Sequence, residues 1–260
     1  MAHELKTRSQ ERDDLDTPEI REARIDLAAC LRMAARLGLQ EGICNHFSAL
    51  VPGHPDLFLV NPYGLAFEEV RAADLVICDF DGNVAQGSGA PEATAFHIHA
   101  QLHRLNPRAV AAFHTHMPNA TALAMTEGEP FVYAGQTSLK FWGRVAYDRQ
   151  YNGLALDASE GERIAMAMGD ADIVFMQNHG VMVVGPTIAE AWDDLYYLER
   201  AAEAQVKALS TGRPLVPVSP QLAEKTARQM RDGDAESARM HLASVRRILG
   251  RASPGFDALE

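Results

Sequence analysis

The sequence has little positive charge and no long apolar run, and each shortage excludes a class of protein. Its 24 Lys and Arg residues are outnumbered by 35 Asp and Glu residues, which gives a formal net charge of −11. A field of this sign repels polyphosphates, so general nucleic-acid binding is not expected. No apolar run approaches the roughly 18 residues that span a bilayer. Residues 1–16 are too polar for a signal peptide, so we expect a cytoplasmic protein without a membrane partner.

Cysteine and lysine are also scarce. The three cysteines (Cys30, Cys44 and Cys78) are far apart and form no CxxC pair, which favours reduced thiols in a cytosolic protein. The chain has four lysines, and Lys140 stands out because it lies among the large apolar residues Leu139, Phe141 and Trp142. An enzyme that works through a Schiff base needs a lysine in a dry pocket. That mechanism therefore has one weak candidate here.

The rest of the composition is that of an ordinary globular protein, with 47% hydrophobic residues in 260. Thr17, Pro18 and Glu19 predict a helix start, and Gly38 predicts its end. Short apolar segments predict strands at 47–51, 57–60, 75–79, 110–113, 173–176 and 181–184, and longer patterns predict helices at 91–105 and 187–210. We predict a flexible tail over 1–16, one α/β domain over 17–212 and a helical C-terminal extension over 213–260.

Three histidines have a spacing that suits a metal ion. His114 and His116 follow an apolar strand, and alternate residues of a strand point to the same face. His179 lies in a tight turn before Gly180, which permits close approach of the backbone. Three imidazoles suit Zn, Fe, Co or Mn and leave open positions for a substrate. An H-x-H pair alone is weak evidence, because two satisfied or solvated histidines would show the same spacing.

Other histidines are weaker candidates. His97 and His99 also form an H-x-H pair, but they fall in a predicted helix, where residues two apart do not share a face. His99 and His103 can share a helix face, without the glutamate of a metalloprotease motif. His46 and His54 have no partner pattern. We interpret His99 and His103 as helix residues near the site.

The motifs occur in one order that resembles the class II aldolase/adducin family over about residues 20–210. They are Gly42-Ile43-Cys44-Asn45-His46-Phe47-Ser48, Asn61-Pro62-Tyr63-Gly64, Asp79-Phe80-Asp81-Gly82-Asn83, Glu92, His114-Thr115-His116, Gln177-Asn178-His179-Gly180 and Gly185-Pro186-Thr187-Ile188-Ala189-Glu190-Ala191. Each piece is unspecific by itself, whereas the ordered set is specific.

The resemblance implies a fold, an assembly and a set of site residues. The fold would be α/β, a three-layer αβα arrangement with a central, mostly antiparallel sheet. The assembly would be a homotetramer with active sites at subunit interfaces. The histidines 114, 116 and 179 would bind a divalent metal, with zinc first and manganese, iron or cobalt as alternatives. Glu92 matches the family's base, Tyr133 its proton donor from a neighbouring subunit, and Asn45 a substrate-binding position.

The sequence also departs from the family's sugar-phosphate aldolases. Those enzymes bind phosphate with two serines before the glutamate, where this chain has Ala90 and Pro91, so a non-phosphorylated substrate is expected. Glu92 precedes His114 by 22 residues (114 − 92), a few more than in those aldolases. Either the intervening helix has an extra turn or Glu92 is displaced. Glu92 also suits a helix N-terminus, Tyr133 suits packing, and Asn45 suits a turn.

The leading interpretation is a lyase that cleaves a carbon–carbon bond of a small oxo or hydroxy acid. Retro-aldol cleavage and decarboxylation share a metal-bound enolate, and the sequence does not separate them. One alternative is an Fe(II)-dependent oxygenase that uses the same three histidines. Another is a non-catalytic, adducin-like structural domain, although such a domain has no reason to keep three metal ligands.

Overall fold

The computed structural model describes residues 15–260, and its central layer is a sheet of eight strands. These strands are β1 (His46–Val51), β2 (His54–Val60), β3 (Val76–Asp79), β4 (Val84–Gln86), β5 (Ala111–Thr115), β6 (Val145–Asp148), β7 (Ile173–Met176) and β8 (Gly180–Gly185). Their order across the sheet is β4-β3-β2-β1-β5-β8-β7-β6. All neighbouring strands are antiparallel except β6 and β7, which are parallel.

Helices cover both faces of this sheet. They are α1 (Pro18–Arg36), α2 (Ala93–Leu105), α3 (Pro118–Ala124), α4 (Ala158–Met168), α5 (Ile188–Leu209), α6 (Pro220–Arg231) and α7 (Asp234–Ala252). Helices α2 and α4 pack on one face, and α1, α3 and α5 pack on the other, where α7 lies against α1 and α5. The predicted three-layer αβα fold with a mostly antiparallel sheet is confirmed.

The alternation of side chains along β5 connects the core to the functional site. Ala111 and Phe113 belong to the apolar cluster under α1 and α5, whereas Ala112 belongs to the cluster under α2 and α4. His114 therefore lies on the α2/α4 face, because residues two apart in a strand share a face. The apolar residues of β5 fix its position, and the histidine follows at its carboxyl end.

Several predicted boundaries agree with the structure. Thr17 is the N-cap of α1, and its hydroxyl accepts a hydrogen bond of 3.3 Å from the Ile20 amide. Thr187 caps α5 with a 3.1 Å bond from the Glu190 amide. The pattern did not predict β4, β6, α3 or α4.

The ends of the chain pack more closely than the predicted division implies. Residues 1–14 of the predicted tail lie outside the described residues, but Leu15 is buried in the main core and Asp16 binds Arg21. In the C-terminal extension, Leu242 and Val245 of α7 belong to the same apolar cluster as α1 and α5. The boundary after residue 212 remains a prediction.

Two further observations concern membrane-spanning helices and the cysteines. In residues 15–260, no helix has both the length and the apolar character that crossing a bilayer requires. Cys30 and Cys78 are buried free thiols, and Cys44 is exposed and also free.

Candidate metal centre

The carboxyl end of β5 and the turn between β7 and β8 bring three histidines together. One ligand atom from each of His114, His116 and His179 lies within 4.8 Å of those of the other two. The ring centroids are 5.0 Å apart for 114 and 116, 4.8 Å for 114 and 179, and 5.1 Å for 116 and 179. Across residues 15–260 this is the only such group of His, Cys, Asp or Glu side chains.

The backbone conformation of the β7–β8 turn aims His179 at the other two rings. Asn178 has φ of 59°, a left-handed conformation that Asn tolerates better than most residues. Gly180, which follows His179, faces His114 and His116. A Cβ atom there would lie 2.7 Å from the Thr115 carbonyl oxygen and 2.8 Å from the His116 ring. The absence of a side chain at Gly180 therefore permits the three rings to meet.

Hydrogen bonds set which nitrogen of two rings is available to a metal. The Nδ1–H of His114 donates to the Val181 carbonyl oxygen at 2.9 Å, and that of His116 donates to the Glu41 carboxylate. A neutral imidazole has one N–H, so Nε2 carries the lone pair in both residues. The Nε2 atom of His116 is buried and has no hydrogen-bond partner among the described residues.

Burial keeps two rings of the cluster, His114 and His179, neutral. Loss of solvent, followed by the charge of the neighbouring His116, lowers the pKa of His179 to about 4. Burial likewise holds the pKa of His114 well below its ordinary range, with smaller contributions from His179 and His116. Neutral imidazole is the form that binds metals. Three imidazole donors, one of them with a buried and unpartnered Nε2, fit a divalent transition-metal ion.

A cavity of about 450 Å³ opens beside His116 and His179. Part of its wall is apolar, contributed by Ile98, Met125, Leu154, Ile164 and Met176. Arg163 is the one Lys or Arg side chain among the described residues that line it. The Arg163 guanidinium is held by Asp148 at 2.5 Å and by Glu160 at 2.6 Å. Among the described residues, the cavity therefore has no Lys or Arg side chain that is not already paired with a carboxylate.

His46 lies beside the cluster, although the sequence showed no partner pattern for it. It lies opposite His114 in the β1–β5 pair, and the two rings stack with centroids 5.8 Å apart. Both of its ring nitrogens are buried without a hydrogen bond to the described residues. Its Nε2 lies 3.7 Å from the Glu92 carboxylate. Burial, followed by the charges of His116 and His179, lowers its pKa to about 3.

Glu92 is the N-cap of α2. Its Oε2 atom accepts a 3.0 Å hydrogen bond from the Ala95 amide and a further bond from the Thr94 hydroxyl. Glu92 therefore has the helix-capping role that the sequence also allowed. The same carboxylate lies 3.7 Å from Nε2 of His46. Glu92 is not part of the three-histidine group. A catalytic role for Glu92 remains a prediction.

Asn45 has both a loop contact and an unused amide. Its Oδ1 accepts a 2.6 Å hydrogen bond from the Glu41 amide, as expected of a residue that closes a turn. Its Nδ2 is buried and has no partner among the described residues. Substrate binding by Asn45 therefore remains a prediction that this free donor supports.

Tyr133 and Tyr151 differ in their surroundings. The Tyr133 hydroxyl donates to the Phe141 carbonyl oxygen at 3.2 Å, and its ring packs on Trp142. Burial raises the pKa of Tyr133 to about 12. It does not line the cavity of its own chain, whereas Tyr151 does and lies 6.5 Å from the His179 ring. The sequence analysis did not single out Tyr151, which follows β6 in a segment without a motif.

The remaining histidine pair lies behind His46. The Ser48 hydroxyl contacts Nδ1 of His99 at 2.6 Å and Nε2 of His103 at 2.7 Å. The predicted shared helix face is confirmed, and its partner is a buried serine. His99 is also in edge contact with the His46 ring.

Lys140 is bound by carboxylates. Its ammonium group lies 2.5 Å from Asp234, 3.0 Å from Asp193 and 3.2 Å from Asp194. Burial lowers the pKa of Lys140, but the three carboxylates outweigh burial and raise it above the ordinary value. A Schiff base needs an unprotonated amine, so this environment disfavours the lysine route.

A three-layer αβα fold with a three-histidine centre beside a cavity defines the class of this protein. The chain belongs to the class II aldolase/adducin family, since residues 25–206 match the family model described as Class II Aldolase and Adducin N-terminal domain. A Caulobacter vibrioides protein that carries an aldolase class 2 name is 36% identical over 237 residues, which cover 90% of this chain and 91% of that protein. The crystal structure of an aldolase II superfamily protein from Pseudomonas syringae has a TM-score of 0.87 and 32% identity, covering 94% of this chain and 98% of that one.

Relatives with more specific names are less similar. Decarboxylase NovR of Streptomyces niveus is 29% identical over 206 residues, which cover 78% of this chain and 75% of that protein. A Streptomyces roseochromogenus protein named 4-hydroxy-3-prenylphenylpyruvate oxygenase/4-hydroxy-3-prenylbenzoate synthase is also 29% identical over 206 residues, covering 78% of this chain and 73% of that protein. A relative named as a decarboxylase and a relative named as an oxygenase thus have the same sequence identity to this chain.

Proposed function

We propose that this protein is a divalent-metal-dependent lyase that cleaves a carbon–carbon bond of a small oxo or hydroxy acid, by retro-aldol cleavage or decarboxylation. The observation that carries the proposal is the convergence of His114, His116 and His179 beside a cavity. Three protein ligands leave open positions for substrate oxygens. A bound divalent ion would act as a Lewis acid that polarises the substrate carbonyl.

Three further side chains bind the substrate or transfer protons in the proposed reaction. The Nδ2–H group of Asn45, which has no partner in the described residues, donates a hydrogen bond to a substrate oxygen. Glu92, whose carboxylate lies 3.7 Å from Nε2 of the buried His46 ring, moves the proton. Tyr133 of a neighbouring subunit supplies the second proton. Its phenol is protonated near neutral pH, as that of an ordinary tyrosine is, and burial raises its pKa further, to about 12.

The cavity indicates which acids to test. A phosphate group needs free cations or exposed N–H groups, and the Arg163 guanidinium is already shared by Asp148 and Glu160. We therefore infer a non-phosphorylated substrate, whose own oxygens would bind at the end of the cavity beside His116 and His179. The apolar wall contributed by Met125, Leu154 and other side chains takes a hydrocarbon or aromatic group. We further propose a cytoplasmic homotetramer with this site at a subunit interface.

The test is a substrate screen on protein reconstituted separately with zinc, manganese, cobalt and iron. Oxo and hydroxy acids with aromatic or aliphatic side groups are incubated with each form, and aldehyde, CO2 and O2 consumption are measured. The proposal expects aldehyde or CO2 without O2 consumption. His114→Ala should abolish the activity together with the metal. Glu92→Gln should keep the metal and lower kcat by about a hundredfold or more.

Oxygenase chemistry is the second candidate, supported by the name of the Streptomyces roseochromogenus relative. It would require iron and consume O2 with the same acids, and the screen separates it from a lyase. An adducin-like structural domain is the third, and it predicts no turnover with any metal. The three retained histidines count against this last alternative.

A further inference from the structure

We propose that Glu41 is a positioning residue that holds His116 in its metal-binding orientation, and that Asn45 holds Glu41 in place. The inference rests on the proposed metal-dependent function. It goes beyond that function by naming the side chains outside the ligand set that determine how tightly the metal is bound.

The contact between Glu41 and His116 supports the first half of the proposal. The Glu41 carboxylate accepts a hydrogen bond from Nδ1–H of His116. This bond fixes the single proton of the neutral ring on Nδ1 and directs the lone pair of Nε2 into the cluster, where Nε2 is buried and unpartnered. A carboxylate in this position also increases the basicity of the ligand.

His114, which lies within β5, is oriented in a different way from His116. His114 donates to the backbone oxygen of Val181, which belongs to the sheet and does not depend on any side chain. His116 lies just beyond the end of β5 at Thr115. It therefore lacks the restraint of the strand ladder, and Glu41 supplies the restraint instead.

The side chain of Glu41 is 68% exposed. An exposed carboxylate on a mobile segment would do little to orient His116. The segment is anchored on both sides, however. Asn45 Oδ1 accepts the Glu41 amide at 2.6 Å, and the amide of Cys44 donates to the Glu41 carbonyl oxygen at 3.2 Å. On the other side, Leu39 is buried at 1% exposure.

Asn45 is itself fixed to the sheet. The Nδ2 group of Asn61 donates to the Asn45 carbonyl oxygen at 3.2 Å, and Oδ1 of Asn61 accepts the amide of Phe47 at 3.0 Å. A continuous series of hydrogen bonds thus runs from the β1–β2 region through Asn45 and Glu41 to His116. Each step uses a side-chain oxygen or nitrogen that a single substitution removes.

The experiment measures zinc affinity in the absence of any substrate, by competition with a chromophoric chelator. Glu41→Ala should weaken zinc binding by about tenfold or more. Glu41→Gln should weaken it less, because the amide oxygen can still accept the Nδ1–H bond. Glu68→Gln makes the same charge change at an exposed position away from the cavity lining, and its affinity should equal that of the wild type.

Asn45 is tested in the same assay. Asn45→Ala should also weaken zinc binding, and the double variant Asn45→Ala, Glu41→Ala should be no weaker than Glu41→Ala alone, because both act through one contact. Asn45→Asp keeps the oxygen that accepts the Glu41 amide, so it should retain most of the affinity. The thermal midpoints of the metal-free proteins show whether each variant is folded.

The outcomes separate this inference from the proposed function. Unchanged zinc affinity in folded Glu41→Ala would overturn the role of Glu41 while leaving the metal site intact. Additive losses in the double variant would overturn the link through Asn45. A wild-type protein that binds no metal would overturn the proposed function and this inference together.

Discussion

His46 and His114 lie directly opposite each other on β1 and β5, with their rings stacked 5.8 Å apart. Neither ring nitrogen of His46 has a hydrogen-bond partner among the described residues. An unsatisfied buried polar group costs about 1–3 kcal/mol, and an apolar ring would fill the same space. The fold alone therefore gives no reason for a histidine at this position, beside Glu92 and the metal ligands.

The first prediction follows from that cost. His46→Phe should raise the free energy of unfolding of the metal-free protein by about 1 kcal/mol, because a ring of similar size replaces the unsatisfied nitrogens. The same variant should keep its zinc and lose turnover of any substrate found. Urea unfolding in a chelator measures the first effect. A clear loss of stability would show that His46 is a structural residue with a partner outside this description.

The second prediction concerns Gly180. Gly180→Ala should lower zinc affinity by at least tenfold, since the added Cβ meets the Thr115 oxygen and the His116 ring below 3 Å. The backbone or the ligand must move to relieve this contact. Gly250→Ala is the matched control, because its added Cβ meets nothing within 4 Å. Equal affinity in the Gly180 variant and the control would mean that the close approach is unimportant.

The third prediction is a pH dependence of stability. Burial lowers the pKa of His46 to about 3, and that of His103 to about 4, below the ordinary 6.5. Below pH 6.5 the unfolded chain binds protons that the folded chain does not, so the stability present above pH 6.5 is lost as pH falls. The free energy of unfolding of the metal-free protein should therefore fall by several kcal/mol from pH 7.5 to pH 5.5.

This window also separates the histidines from the carboxylates, which titrate mostly below it. Urea titrations at intervals across the range give the slope of stability against pH. A slope that corresponds to more than one proton taken up on unfolding is expected. A constant free energy of unfolding from pH 7.5 to pH 5.5 would mean that these rings are solvated in the folded protein.

The fourth prediction compares two tyrosines. If Tyr133 is the proton donor, Tyr133→Phe should lower kcat by about a hundredfold or more, whereas loss of its bond to the Phe141 oxygen costs only about 1 kcal/mol of stability. Tyr151→Phe removes a hydroxyl from the cavity wall near His179. It should mainly raise KM. The reverse pattern would assign proton donation to Tyr151 and packing to Tyr133.

The sequence predicted the parts of the site that follow a regular period. His114 lies beyond an apolar strand whose alternation fixes its face, and His179 lies in a turn marked by Gly180. Glu41 follows no such pattern, because its contact with His116 joins residues 75 apart in the chain. His46 could have been found by extending the β1 alternation back from Ser48, but only after β1 had been paired with β5.

The missed elements have physical explanations as well. Strand β6 (Val145–Asp148) is four residues long and largely half-buried at the sheet edge, so it shows no clear alternation. Helix α4 contains Gly161, which ordinarily lowers helix propensity. In the structure a Cβ at Gly161 would lie 2.2 Å from the His97 carbonyl oxygen. This glycine therefore permits close packing of α4 on α2, which local sequence does not reveal.

We propose that His114, His116 and His179 bind a metal on which activity depends. Elemental analysis tests this on protein purified without a metal-affinity tag and reconstituted with zinc, manganese, cobalt or iron. We expect one ion per chain in the wild type, loss of that ion in His114→Ala, His116→Ala and His179→Ala, and retention in His54→Ala, a histidine outside the cluster. A wild type without metal after reconstitution, or cluster variants that retain it, would show that these histidines are not a metal site.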